Sequence, residues 1–445
     1  MKRLFILTLV LSAILCLTAF AEAPEIDAKY GIVYNLEADK PLFEKDVDSI
    51  IYPASLTKIM TGLLACEYYD ERGGVDFEVT VSEAALENVE GNKIGLKAGE
   101  TVSFYDLIVA VMVGSGNDAA YVIAETVGGS LDGFVAMMNE RAATVGATHT
   151  TYSNPSGFHS SYMLTTLRDQ ALICAEASEN NTLLKISSLV DYTMPETDLH
   201  KKREFTNQNL LFDPSHWLRH YTPDTQGFNA GMTQQAGWCL ATLHDNDGLN
   251  NVVIVAGGSV DGFEYNYIND AKALIDYSKE AYAFTKVLDK GRILHDVDVK
   301  LSEDKDRLIL TAKNDVSALL PIDIDTDRDI RLESELYSSV YEAPINEGDT
   351  FGVVRAYYGD ELLGETELVA LTDVKLSIKL LIVDRIKSFF KNAYVSSILK
   401  LVGSILFAFI VSVFITVCIK RRKIRLEKMR ARAQGVTRAR KTVGK

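Results

Sequence analysis

Ser55 and Lys58 stand three residues apart in Tyr52-Pro53-Ala54-Ser55-Leu56-Thr57-Lys58-Ile59-Met60-Thr61. Residues i and i+3 share a helix face, so the Lys58 amine can point at the Ser55 hydroxyl and, when neutral, take its proton during attack on a carbonyl. A lysine in water titrates near 10.4, and burial or a neighbouring cation is required to bring it down. A helix N-terminus disfavours the ammonium and favours an oxyanion developing at the serine.

A second pair follows at Ser115-Gly116-Asn117. Its hydroxyl can relay a proton, and its amide can hold a peptide bond or orient Lys58. HExxH, CxxC and P-loop patterns are absent and the seven histidines have no metal-ligand spacing, so neither a metal nor a cofactor is expected.

The elements that must position these residues are legible around them. Pro53 suits the abrupt start of a helix, and Leu56 through Ala65 has helical composition, with Ser55 expected in the first turn. Phe104–Val113, Asp118–Val127, Leu131–Val145 and Thr166–Glu179 are expected helices, and Asn154-Pro155-Ser156-Gly157 is a turn. Tyr30–Asn35 is an expected strand. Leu240–Leu243 and Asn251–Ala256 are expected to form a hairpin about Asn246-Asp247-Gly248, with a covering helix over residues 271–286. Helices grouped against an antiparallel sheet make an α+β fold. From residue 291 to 372 the pattern changes to short alternating runs, expected as a small β-sandwich.

Together, the first two motifs and the turn at Asn154 resemble the low-molecular-mass penicillin-binding proteins, the serine-type D-alanyl-D-alanine carboxypeptidases of peptidase family S11. The family's signatures are SxxK, SxN and KTG, and the likeness runs over roughly residues 25–372, through Gly237-Trp238-Cys239 and Pro344-Ile345-Asn346-Glu347-Gly348-Asp349. The resemblance implies a β-lactamase-like transpeptidase domain and no cofactor. It implies Ser55 as acylated nucleophile, Lys58 as base, and Ser115 with Asn117 completing the centre. The substrate would be a peptidoglycan stem peptide, and β-lactams would be trapped on the same serine.

The resemblance also implies a substrate-binding edge strand at Asn229-Ala230-Gly231 with Thr233, but this third motif departs from the family. Gly227-Phe228 before and Gly231-Met232-Thr233 after set a frame in which Asn229 takes the lysine position and Ala230 the threonine position. Losing a charge-assisted contact costs about 1.5–3 kcal/mol, or roughly 10- to 100-fold in rate. The expected activity is D-alanyl-D-alanine carboxypeptidation. The alternatives are a penicillin-binding protein with little turnover acting in wall binding or regulation, and a β-lactamase- or transpeptidase-like relative.

The ends of the chain bear on location. Residues 1–21 join a basic start, an apolar run and Ala19-Phe20-Ala21, as in a cleaved export signal. Leu401 through Ile419 is nineteen residues without a charge, close to the length that crosses a bilayer. The tail 420–445 has twelve Lys or Arg and one acidic residue, which reads as a cytoplasmic flank meeting anionic lipid rather than nucleic acid. Setting aside the tail's +11 and +2 from Lys2 and Arg3, the formal −15 leaves −28 on residues 22–419. The expected order is signal 1–21, catalytic domain 22–290, β-rich domain 291–372, amphipathic stalk 373–400, membrane helix 401–419 and basic tail. Cys66, Cys174 and Cys239 are expected as buried small hydrophobes rather than a disulfide framework.

Overall fold

The computed structural model describes residues 22–217, 220–246 and 248–441, with side chains as far as residue 432. The expected signal segment 1–21 and Asp247 of the expected turn lie outside the described residues. The chain divides into two compact units. The first runs to Lys286 and includes Ser317–Asp329; the second comprises Val287–Val316 and the chain from Ile330 onward.

The first unit is an α+β structure. Strands β1 (Tyr30–Asn35) and β2 (Lys40–Lys45) open it, and helices α1 (Thr57–Glu71), α2 (Phe104–Met112), α3 (Asn117–Gly128), α4 (Leu131–Thr144) and α5 (Leu167–Ser178) follow. The chain then returns to the sheet as β3 (Thr225–Thr233), β4 (Gly237–Asn246) and β5 (Leu249–Gly258), before α6 (Asn266–Ala281). The sheet order is β2-β1-β5-β4-β3, so β3 is an edge strand, and each ladder is antiparallel.

Helix α1 is buried without interruption from Thr57 to Cys66. A helix apolar all round belongs in a core rather than on a surface, and α1 packs there among α2, α3 and α5. Ile59, Met60, Leu63, Leu107 and Ile108 are each at most 1% exposed; a side chain of this size contributes about 1.5–3 kcal/mol on burial. Ser103, Ser130 and Thr166 cap α2, α4 and α5 by accepting from the backbone N–H of Asp106, Gly133 and Asp169, satisfying donors the first helical turn leaves open. The three cysteines Cys66, Cys174 and Cys239 are free thiols in this interior.

Two expected elements differ. The helix expected over 271–286 runs from Asn266 to Ala281, and Tyr282–Leu288 is a strand. Aromatic and branched residues after Ala281 extend the apolar pattern but favour an extended backbone. In the second unit, β6 (Ile293–Lys300), β7 (Arg307–Ala312), β8 (Ile330–Leu336), β9 (Val340–Glu342), β10 (Thr350–Tyr358) and β11 (Glu361–Ala370) form one six-stranded sheet ordered β8-β10-β11-β7-β6-β9. Hydrogen bonding thus joins all six strands in one sheet, where the expected sandwich has two, with β6 and β9 paired in parallel. Helices α7 (Ile378–Lys391) and α8 (Ala393–Lys441) end the described chain. Helix α8 contains a stretch long and apolar enough to cross a membrane, with mean hydropathy 2.7.

Candidate active site

Ser55 sits in a short 3-10 turn, Ala54–Leu56, that runs directly into α1. It therefore lies just ahead of the α-helix rather than inside its first turn. Lys58 Nζ is 3.4 Å from Ser55 Oγ and donates to the Ser156 carbonyl oxygen at 2.7 Å. Lys58 is only 2% exposed, and burial pushes its amine down from the ordinary lysine value to about 7. A neutral amine has two N–H bonds and one lone pair. With one N–H committed to Ser156, the amine is held beside the serine hydroxyl.

The carbonyl is delivered by the turn at Asn154. Asn154 Oδ1 accepts from Ser156 N, Ser156 Oγ and Gly157 N at 3.1, 3.1 and 2.9 Å, while its Nδ2 donates to Phe158 O at 2.9 Å. One turn along α1, Thr61 Oγ1 donates to Pro155 O at 2.7 Å. Gly157 has φ +79°, and a Cβ there would stand 1.8 Å from Ala54 O, so the turn closes directly on the backbone before the nucleophile.

Ser115 and Asn117 occupy the junction of α2 and α3. Asn117 Nδ2 donates to Glu90 O at 2.6 Å, Asn117 N donates to Asn92 O at 2.8 Å, and Asn92 Nδ2 donates to Gly114 O and Ser115 O at 2.9 and 3.0 Å. The segment 90–97 is itself fixed from behind. The Asp118 carboxylate accepts from the N–H groups of Ile94, Gly95 and Leu96, and buried Arg203 pairs with Glu100 while donating to Ile94 O and Gly95 O. Asn117 Oδ1 is buried and has no hydrogen-bond partner among the described residues. Ala54 and Ser115 both adopt positive φ, +47° and +50°, the left-handed region that non-glycine residues rarely occupy.

Strand β3 meets Ser55 through Gly231. A Cβ there would lie 2.3 Å from Ser55 Oγ, so glycine is what lets β3 run against the serine. Asn229 is 1% exposed; its Nδ2 reaches the Met112 carbonyl at 3.4 Å and its Oδ1 has no partner among the described residues. Ala230 is buried in the core on the α6 side of the sheet.

A cavity of about 380 Å³ joins these pieces. Of the residues singled out from sequence, Ser55, Lys58, Ser115, Asn117 and Thr233 line it, whereas Asn229, Ala230 and Gly231 do not. Sequence reasoning missed the Ser156 carbonyl and the lining residues Gly91, Asn92, Phe158, His159, Met232, Gln234 and Gln235. The turn pattern Asn154-Pro155-Ser156-Gly157 was the available signal for the first of these. Among the described residues, Lys58 is the one lysine or arginine in this lining, which has no carboxylate.

Residues 18–259 match the family profile described as D-alanyl-D-alanine carboxypeptidase, peptidase S11. The chain belongs to the S11 peptidase family. Residues 282–376 match the profile of the penicillin-binding protein 5 C-terminal domain. The chain is 27% identical to the D-alanyl-D-alanine carboxypeptidase DacF of Bacillus subtilis, over 78% of this chain and 86% of that protein. It is 30% identical to DacC of Escherichia coli, over 56% of this chain and 62% of that one. Among solved structures it is similar to penicillin binding protein 5 of Haemophilus influenzae, with TM-score 0.58 and 25% identity, covering 79% of this chain and 98% of that one.

Proposed function

We propose that this S11 family member is a serine-type D-alanyl-D-alanine carboxypeptidase that trims peptidoglycan stem peptides through an acyl-enzyme on Ser55. Lys58 takes the hydroxyl proton as Ser55 Oγ adds to the carbonyl carbon of the penultimate D-alanine. Collapse of the tetrahedral adduct breaks the C–N bond, and the proton passes from Lys58 by way of the Ser115 hydroxyl to the departing D-alanine nitrogen. Water then adds to the ester, giving its proton to Lys58; the C–O bond to Ser55 breaks, Lys58 returns the proton to Ser55 Oγ, and the shortened peptide leaves. Asn117 Oδ1, buried and unpartnered, suits an amide N–H of the substrate. Thr233 stands at the strand wall of the same cavity. A β-lactam carbonyl would acylate the same oxygen.

One observation carries this reading: a lysine amine 3.4 Å from a serine hydroxyl, pushed down by burial to about 7. Mass spectrometry of the full chain in detergent, after exposure to a stem pentapeptide, tests it. Loss of one alanine from the peptide is expected, with a transient adduct on Ser55. Intact peptide and unmodified protein would contradict the assignment.

The body −28 charge, the apolar helix and the basic residues after it support a single-pass arrangement. In this reading residues 1–21 are the export signal, 22–290 the catalytic domain, 291–372 a β-rich domain, 373–400 a membrane-proximal stalk and 401–419 the span, held by membrane lipid. The tail 420–445 is cytoplasmic and the catalytic body faces outward. Protease added to intact cells should remove the body and spare the tail.

A further inference from the structure

An exposed aromatic pair lies outside the cavity lining and takes no part in the acyl chemistry. Trp217 is 66% exposed and Phe263 75% exposed, and their rings meet edge to face at 5.7 Å. Phe263 is projected by a tight turn in which Asp261 and Glu264 exchange backbone hydrogen bonds at 2.9 Å in both directions. Two residues after Phe263, partly buried Tyr265 contacts the rings of His220 and Tyr267, and Tyr267 stacks on Trp238 at 4.8 Å. Trp238 lies directly opposite Met232 in the β3–β4 ladder, and Met232 is a cavity-lining residue. Trp238 is also paired with Gly258, the last residue of β5, so the turn that carries Phe263 begins three residues beyond the sheet end that borders the cavity.

Large exposed aromatic rings mark a contact surface, and here the charges around them define its partner. The turn that carries Phe263 is flanked by two exposed carboxylates, Asp261 and Glu264, on a body carrying a formal −28. An anionic lipid or acidic peptide would be repelled. A neutral polyol fits: the C–H face of a pyranose ring seats on the negative face of an aromatic ring, and carboxylates accept hydrogen bonds from its hydroxyls. Resting on the function proposed above, the substrate brings such a group with it, because its stem peptide hangs from a glycan. Five extended residues reach at most about 17 Å, so the sugar is held close to the cavity mouth.

We infer that Trp217 and Phe263 form a sugar-stacking platform that holds the N-acetylated β-1,4 glycan from which the stem peptide hangs. The platform raises affinity for glycan-borne peptide and leaves the chemical step alone.

The test compares D-alanine release by the full chain in detergent from a free stem pentapeptide and from the same peptide carried on an N-acetylated tetrasaccharide. Each stacking contact removed, in Trp217→Ala or Phe263→Ala, is expected to raise KM for the glycan-borne substrate about fivefold. The kcat, and both constants for the free peptide, are expected to stay unchanged. In parallel, N-acetylchitotetraose is titrated against tryptophan fluorescence. It should perturb the wild-type signal, perturb Phe263→Ala only at higher concentration, and leave Trp217→Ala unmoved. Equal wild-type KM values for the two substrates, parallel losses on both, or no response to the tetrasaccharide would overturn the inference. So would variants that lose only vesicle binding or only self-association. If neither peptide is cleaved, the carboxypeptidase reading fails, and the fluorescence titration still decides the platform.

Discussion

The catalytic cavity has two walls of unequal character. On the helical wall, Ser55, Lys58, Ser115 and Asn117 are set by hydrogen bonds that converge from the 154–158 turn and the 90–97 segment. On the strand wall, Asn229 has one long bond and an unpartnered oxygen, and the side chains that reach the cavity are Met232, Thr233, Gln234 and Gln235. In the mechanism proposed above, one wall carries the groups that move the proton. The other retains its backbone approach, through Gly231, without a cation. The contrast implies that making the nucleophile and recognising the substrate can be altered separately, since they rest on different elements.

Removing the nucleophile tests the helical wall most severely. Ser55→Ala should abolish the penicillin adduct seen by mass spectrometry and lower D-alanine release by about 10⁴-fold or more. Residual turnover near the wild-type level would place the chemistry elsewhere. Lys58→Ala should cost about 10²–10⁴-fold in acylation, the usual worth of a positioned base.

The same lysine fixes the sign of the pH dependence. Its active form is unprotonated, so acylation should rise with pH and level off above about 7; a rate that falls over that interval would exclude Lys58 as the base.

The strand wall gives smaller effects. Gly231→Ala places a methyl group against Ser55 Oγ and should slow acylation about 10²-fold by displacing the nucleophile, with little change in thermal midpoint. Asn229→Lys should act in the opposite direction, raising kcat/KM on a free pentapeptide about tenfold as a charge-assisted contact is supplied. An unchanged rate would mean that the lost cation does not limit this enzyme, and the two walls would then be less independent than they look.

Much of the helical wall was legible because it is written in side chains. Ser55 and Lys58 at helical spacing, and Ser115 with Asn117 at a helix junction, carry their chemistry in residue type. The Ser156 carbonyl was not legible, because every residue has one and only the fold selects which of them meets Lys58. Segment 90–97 was hidden for a related reason: it is held by Asp118 and Arg203, the latter more than a hundred residues away in sequence, through backbone groups. Along the edge strand, alternation puts Asn229 on the face of Gly231, yet the shorter amide turns to the Met112 carbonyl and stops short of the cavity. The end of α6 was misplaced because Tyr282, Phe284 and Val287 prolong an apolar pattern that helix and strand share over short runs.

The left-handed backbones of Ala54 and Ser115 bracket the reacting hydroxyl from two elements. Each holds back roughly 1–2 kcal/mol that glycine would not lose. Folding elsewhere in the domain must therefore keep both residues under tension, and a sturdier variant with glycine at either place should come with a blunter catalyst.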